Sequence, residues 1–156
     1  MTVRAAHPSE ADALTALMLR SKAHWPYDEN FMAVMRRTLR ITADDIIRLD
    51  ALVHETDGLI EGVGVVEHAG EATELQHLWV DPPAMGRGIG RSLFRDLLDR
   101  VHQRGARRML IESDPFAETF YLHMGATRIG ERAVPAIPGR VLPLLEIAIE
   151  PAARTP

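Results

Sequence analysis

Between Val80 and Phe94 the chain reads Val-Asp-Pro-Pro-Ala-Met-Gly-Arg-Gly-Ile-Gly-Arg-Ser-Leu-Phe, with glycine at 86, 88 and 90 and arginine at 87 and 91. This order of strand, glycine-rich loop and helix start suits an anion. Glycines let successive N–H groups point inward, and a helix N-terminus adds about half a positive charge, so phosphate is the natural ligand. Two familiar phosphate patterns fail on spacing. A dinucleotide fingerprint needs glycine three residues after Gly88, where Arg91 stands, and Gly62-x-Gly64 fails in the same way at Glu67. A P-loop needs Gly-Lys-Ser/Thr, and the only lysine is Lys22. A lone glycine loop is as often a structural turn as a ligand site.

Other reactive residue types are scattered or missing. With no cysteine the chain has no disulfide framework, thiolate metal site or cysteine nucleophile. The seven histidines show no metal spacing: after His54-Glu55, Gly58 occupies the place of the second histidine of a zinc-protease helix. No metal is expected.

The elements that must position the loop follow from periodicity. Val3 to Ala6 reads as a short edge strand. Ser9 looks like the N-cap of a helix to about Ser21, and a second amphipathic helix spans about Glu29 to Arg40. Thr42-Ala-Asp-Asp can cap a short helical turn. Ala51 to Thr56 and Leu59 to His68 form a hairpin about Asp57-Gly58, which supplies the positive φ of a type I′ turn. Gly62 and Gly64 within it suggest a bulge or a close backbone approach. A strand from Thr73 to Val80, a helix from Gly88 to Gln103, a strand from Met109 to Glu112 and a helix from Ala117 to Met124 come next. Ala126 to Glu131 and Leu142 to Ile149 are the closing strands. Helices, then a meander, then alternating strand and helix predict an α+β fold, not a doubly wound one.

With 156 residues, 46% hydrophobic and 26% charged, the composition suits one globular domain over residues 1–150 with a short tail, 151–156. No window approaches the roughly 18 apolar residues of a membrane span and the first residues do not read as a signal peptide, so a cytoplasmic protein is expected. The net charge of −4 hides an asymmetry. From Arg87 to Arg108 seven arginines oppose Asp96 and Asp99, a local +5, which leaves −9 for the rest. That overall sign argues against a nucleic-acid partner.

A second segment joins the loop to a family. Met85-Gly86-Arg87-Gly88-Ile89-Gly90 resembles the Gln/Arg-x-x-Gly-x-Gly/Ala pyrophosphate loop of the Gcn5-related N-acetyltransferases, with Met85 at the Gln/Arg position. Downstream, the segment from Asp114 through Ala117, Phe120 and Tyr121 to Gly125-Ala126 resembles that family's Asn-x-x-Ala-x-x-Phe-Tyr-x-x-x-Gly-Phe. Asp114 stands for the usual Asn and Ala126 for the usual Phe. The order of elements agrees along almost the whole chain.

The resemblance implies a mixed, mostly antiparallel central sheet flanked by helices. It also implies transfer of an acetyl group from acetyl-CoA to a primary amine of a small molecule or protein. The pyrophosphate would rest on the N–H groups of residues 86 to 91 (Gly86, Arg87, Gly88, Ile89, Gly90 and Arg91), pantetheine would pair with Leu78 and Val80 as an added strand, and Asp114 and Ala117 would line its path. Tyr121 matches the family's general acid and Glu74 the glutamate base of several members. Glu112 and His77 are weaker candidates for the base. His24, Trp25, Tyr27 and the loop from Ala133 to Arg140 fall where the family binds its acceptor, and the aromatic pair offers either a cation–π face or a loop anchor. Without a cysteine to carry the acyl group, direct attack in a ternary complex is expected. An exposed late strand would suit a homodimer. The reading from another class is a non-catalytic acyl-CoA sensor.

Overall fold

The computed structural model describes residues 2–150; the expected tail at 151–156 lies outside them. Seven strands hydrogen-bond in the order β1-β2-β3-β4-β5-β7-β6, mostly antiparallel and with flanking helices: β1 (Thr2–Ala5), β2 (Asp50–Thr56), β3 (Leu59–Ala69), β4 (Ala72–Val80), β5 (Arg108–Glu112), β6 (Thr127–Ala133) and β7 (Val141–Ala148). The helices are α1 (Ala11–Ala23), α2 (Glu29–Thr38), α3 (Ala43–Arg48), α4 (Ile89–Gln103) and α5 (Glu118–His123). The expected α+β class is the observed one. The chain forms two compact units, Met1–Val66 with His77–Leu97 and Glu67–Gln76 with Leu98–Pro156.

In the first unit β1 and β2, then β2 and β3, pair antiparallel. Asp57 and Gly58 both take positive φ, +51° and +79°, as the tight turn demands. Leu14, Leu17 and Met18 of α1 and Ile46 of α3 pack with Val53, Val63 and Val65 in one buried cluster. The opposite face receives α4, and here Gly62 and Gly64 are required. A Cβ on Gly62 would lie 2.9 Å from Ile89 Cγ2 and Leu93 Cδ1, and one on Gly64 only 2.7 Å from Leu97 Cδ1. Both expectations for these glycines hold, since a bulge lies next to them. His54 opposes Gly62 and Glu55 opposes Ile60, so Glu61 is the extra residue.

Several boundaries differ from the sequence reading by one or two residues, and three have a clear cause or pairing. Ser9 does not cap α1. Pro8–Glu10 makes a single tight turn in which the Glu10 carboxylate accepts the His7 N–H at 2.7 Å, and the helix starts at Ala11. The second helix stops at Thr38, short of Arg40, because Thr15 Oγ1 both accepts the Ile41 N–H and donates to its carbonyl at 3.1 Å, holding that segment extended against α1. The strand expected to end at Glu131 runs on to Ala133, paired with Val141. Thr42 does cap α3, its hydroxyl accepting from Asp45 N–H while Asp45 takes the Thr42 N–H.

In the second unit β4 and β5 run parallel from Ala72↔Arg108 to Leu75↔Ile111. β5 then pairs antiparallel with β7, and β7 with the edge strand β6. Met109, Ile111 and Leu145 are fully buried, as is Val101 from the last turns of α4.

Candidate active site

The first unit carries the glycine loop. β4 continues through Leu78 to Val80 beyond its last β5 pair, and Pro82–Ala84 then forms one tight turn. Gly86 and Gly88 have φ of +81° and +82°, a region closed to residues with a Cβ except at a cost, and nothing crowds the side either would occupy. Buried Ile89 anchors the start of α4. The Ser92 N–H is bonded to Gly88 O at 3.0 Å, so the preceding N–H groups belong to the first helical turn, which has no partner within the helix. Gly86, Arg87 and Gly88 are exposed. Exposed main-chain donors, a helix N-terminus and open space above the glycines fit the diphosphate of an acyl-CoA.

The loop arginines divide. Arg91 and Arg95 lie exposed on α4, whereas Arg87 donates to Glu61 Oε1 at 3.1 Å. Nothing in the sequence signals Glu61; the bulge turns it toward the loop.

Of the residues proposed for an acceptor, Tyr27 faces a cation of the protein itself. Lys22 Nζ lies 4.8 Å from the Tyr27 ring centroid, 5.4 Å from Phe31 and 5.7 Å from Trp79. Tyr27 stacks on Phe31 with centroids 4.0 Å apart, and Trp25 meets His24 edge to face. The Trp79 Nε1–H donates to His77 Nδ1 at 3.3 Å, and burial lowers the His77 pKa to about 4 against the pull of Asp45. His77 is therefore a neutral, packed imidazole at ordinary pH.

The second unit carries the acid candidate and two of the base candidates, Glu74 and Glu112. Tyr121, in α5, is buried with its ring edge-on to Phe120. Desolvation first, and the Asp114 carboxylate second, push its pKa well above the usual phenol value. It holds its proton at any ordinary pH. Asp114 shapes the approach to the helix: its Oδ1 accepts from Phe116 N–H at 2.9 Å and its carbonyl from Ala117 N–H at 2.9 Å. Glu74 on β4 and Glu112 on β5 share the Arg132 guanidinium of β6, at 3.3 Å and 2.9 Å. Those contacts, Glu112 first, raise the Arg132 pKa. Arg132 has no sequence signal, because it lies 58 residues from Glu74.

Among the described residues no group of three or more His, Asp or Glu is placed to hold a metal ion, and no helix is long and apolar enough to cross a membrane.

Residues 40–136 match the acetyltransferase (GNAT) domain family, well over half of the chain. The chain belongs to the GNAT acetyltransferase family. It is an acyltransferase enzyme, and its fold recurs in solved relatives. The ribosomal-protein-S18-alanine N-acetyltransferase of Escherichia coli shares 20% identity over 97% of this chain and 95% of its own, with a TM-score of 0.72. PaiA N-acetyltransferase of Thermoplasma acidophilum, solved with coenzyme A, gives a TM-score of 0.80 at 14% identity, covering 94% of this chain and 98% of that one. YncA of Salmonella typhimurium, solved with acetyl-CoA, gives 0.69 at 22% identity over 100% and 98%. At such identities these likenesses are of fold.

Proposed function

We propose that this GNAT enzyme transfers an acetyl group from acetyl-CoA to a primary amine, by direct attack of the amine on the thioester in a ternary complex. The observation that carries the reading is the Gly86 to Gly90 loop: positive φ at Gly86 and Gly88 and exposed main-chain donors at the start of a 15-residue helix. Residues 86 to 91 hold the diphosphate through their N–H groups, and the Leu78 and Val80 main chain, beyond the β4–β5 ladder, pairs with pantetheine.

An amine of ordinary pKa, about 10.4, loses its proton at neutral pH at a cost of roughly 4 to 5 kcal/mol. Glu74 accepts that proton through water, while Arg132 orients its carboxylate. The Tyr121 hydroxyl donates to the sulfur as the thiolate departs. Its elevated pKa makes full proton transfer to a thiolate of ordinary basicity, near 8.5, uphill. Tyr121 therefore works mainly as a hydrogen-bond donor to developing charge, and the sulfur takes its final proton as product leaves.

A thiol-release assay with acetyl-CoA, run across polyamines, amino acids, aminoglycosides and peptides with products weighed by mass spectrometry, tests this. Tyr121→Phe and Glu74→Ala are each expected to lower turnover at least tenfold while acetyl-CoA still raises the melting temperature. Binding of acetyl-CoA with no thiol released from any amine would instead identify a sensor.

A further inference from the structure

The first unit contains a buried charge that the chemistry above does not use. Glu61 is 7% exposed. Its Oε2 accepts from Thr56 Oγ1 at 3.0 Å and lies 3.8 Å from Nδ1 of the buried His54, while its Oε1 accepts from Arg87 at 3.1 Å. Its main-chain carbonyl accepts the Asp81 N–H at 2.9 Å. Asp81 in turn takes a two-pronged contact from Arg20, at 3.0 and 2.9 Å.

One residue thus grips the loop twice, by its carbonyl where β4 ends and by its carboxylate at Arg87 between the two positive-φ glycines. The bulge makes this geometry. Regular alternation would put Ile60 on the same face as Gly62. The extra residue lets Ile60 join the cluster with Val63 and Val65 instead, and sends Glu61 toward the loop.

We infer that Glu61 is the positioning residue of the acyl-CoA loop, holding it in its binding shape through Arg87 before any ligand arrives. The inference rests on the reading of that loop as the diphosphate site, and adds to it a residue from another strand. Arg87 is then a strut and not a phosphate ligand. Drawing its guanidinium away to a phosphate would leave the carboxylate with only the Thr56 hydroxyl and the more distant His54 imidazole beside it, and a buried charge that loses its close cation is costly. The diphosphate is left to the main-chain donors, which Arg87 holds in register.

The test uses the full chain, coenzyme A as probe, and the variants Glu61→Gln, Arg87→Gln and the double. Calorimetry should show coenzyme A affinity falling about tenfold in each single variant and no further in the double. For Glu61→Gln, KM for acetyl-CoA should rise by the same factor with kcat changed much less. Amide exchange gives a readout without ligand: the Ser92 N–H, bonded to Gly88 O, should exchange faster in Arg87→Gln. An arginine that only touched phosphate would leave that rate alone. Additive losses in the double variant, or unchanged affinity in Glu61→Gln, would overturn the proposal while leaving the loop as the coenzyme A site. Wild-type protein that binds no coenzyme A would overturn the loop reading itself. If Glu61→Gln does not fold, the exchange rate and affinity of Arg87→Gln decide alone.

Discussion

Each unit contains an arginine bridged to glutamate, and the two bridges are built differently. In the first, Arg87 meets a carboxylate that is 9% exposed, pinned by a threonine hydroxyl and enclosed by the sheet. In the second, Arg132 joins Glu74 and Glu112, whose side chains are 43% and 41% exposed. The same charges have different consequences, because water reaches both carboxylates of the second set, whereas in the first it reaches the half-exposed arginine but hardly the glutamate. The buried bridge fixes backbone; the exposed one sets the charge around a candidate base without holding the fold together.

Two titrating groups with shifted pKa values, His77 and Tyr121, extend the contrast, and with it the largest expected effect. His77 in the first unit has its pKa lowered from 6.5 to about 4, so the native protein declines a proton that the unfolded chain accepts. Its contribution is complete above pH 6.5 and is lost as pH falls toward 4, by about 3 kcal/mol in all. Tyr121 in the second unit has the opposite sign: its raised pKa makes stability decline as pH climbs past 10, where the unfolded phenol ionises and the buried one does not. Urea unfolding across pH should show both slopes. His77→Gln should flatten only the acid one and Tyr121→Phe only the alkaline one.

Breaking the two bridges is the direct comparison. Arg87→Met leaves Glu61 buried without its cation, and because Arg87 itself is half exposed the loss should sit below the usual buried-pair range, at about 2 kcal/mol. Arg132→Met should cost less than about 1 kcal/mol by the same denaturation measurement. Equal losses would mean that burial is not what separates them.

Gly88→Ala and Gly125→Ala place a side chain at φ of +82° and +103°, each at a cost of about 1 to 2 kcal/mol. Thermal melts should show both, and only Gly88→Ala should also weaken coenzyme A binding by calorimetry. Thr42→Ala, which removes the cap of α3, should cost about 1 kcal/mol in the same melts, no more than either glycine substitution.

The legible parts of this protein are those in which the deciding residues are close together in the chain. Asp57-Gly58 specifies its turn, Thr42 its cap, and Gly86 and Gly88 their positive φ. Those features, with the motif about Tyr121, sufficed for the family and the α+β class. The failures have two causes, one local and one long-range. Ser9 had the right spacing to cap a helix, but Glu10 was drawn instead to the His7 N–H and to Arg4. The second helix lost its last turn to Thr15, 26 residues away from Ile41.

The amino-acid sequence by itself determined the glycine loop, the helix behind it and the hairpin before it, because turn geometry and capping depend on neighbours three or four residues apart. Only the tertiary structure decided how the charges pair. Arg87 finds Glu61 across 26 residues, Arg132 finds Glu74 across 58, and the only lysine is enclosed by Tyr27, Phe31 and Trp79. Local chemistry leaves each of those side chains many partners. One is chosen when burial of the apolar residues sets the register of the strands, and a single extra residue in β3 is enough to turn Glu61 from one face to the other.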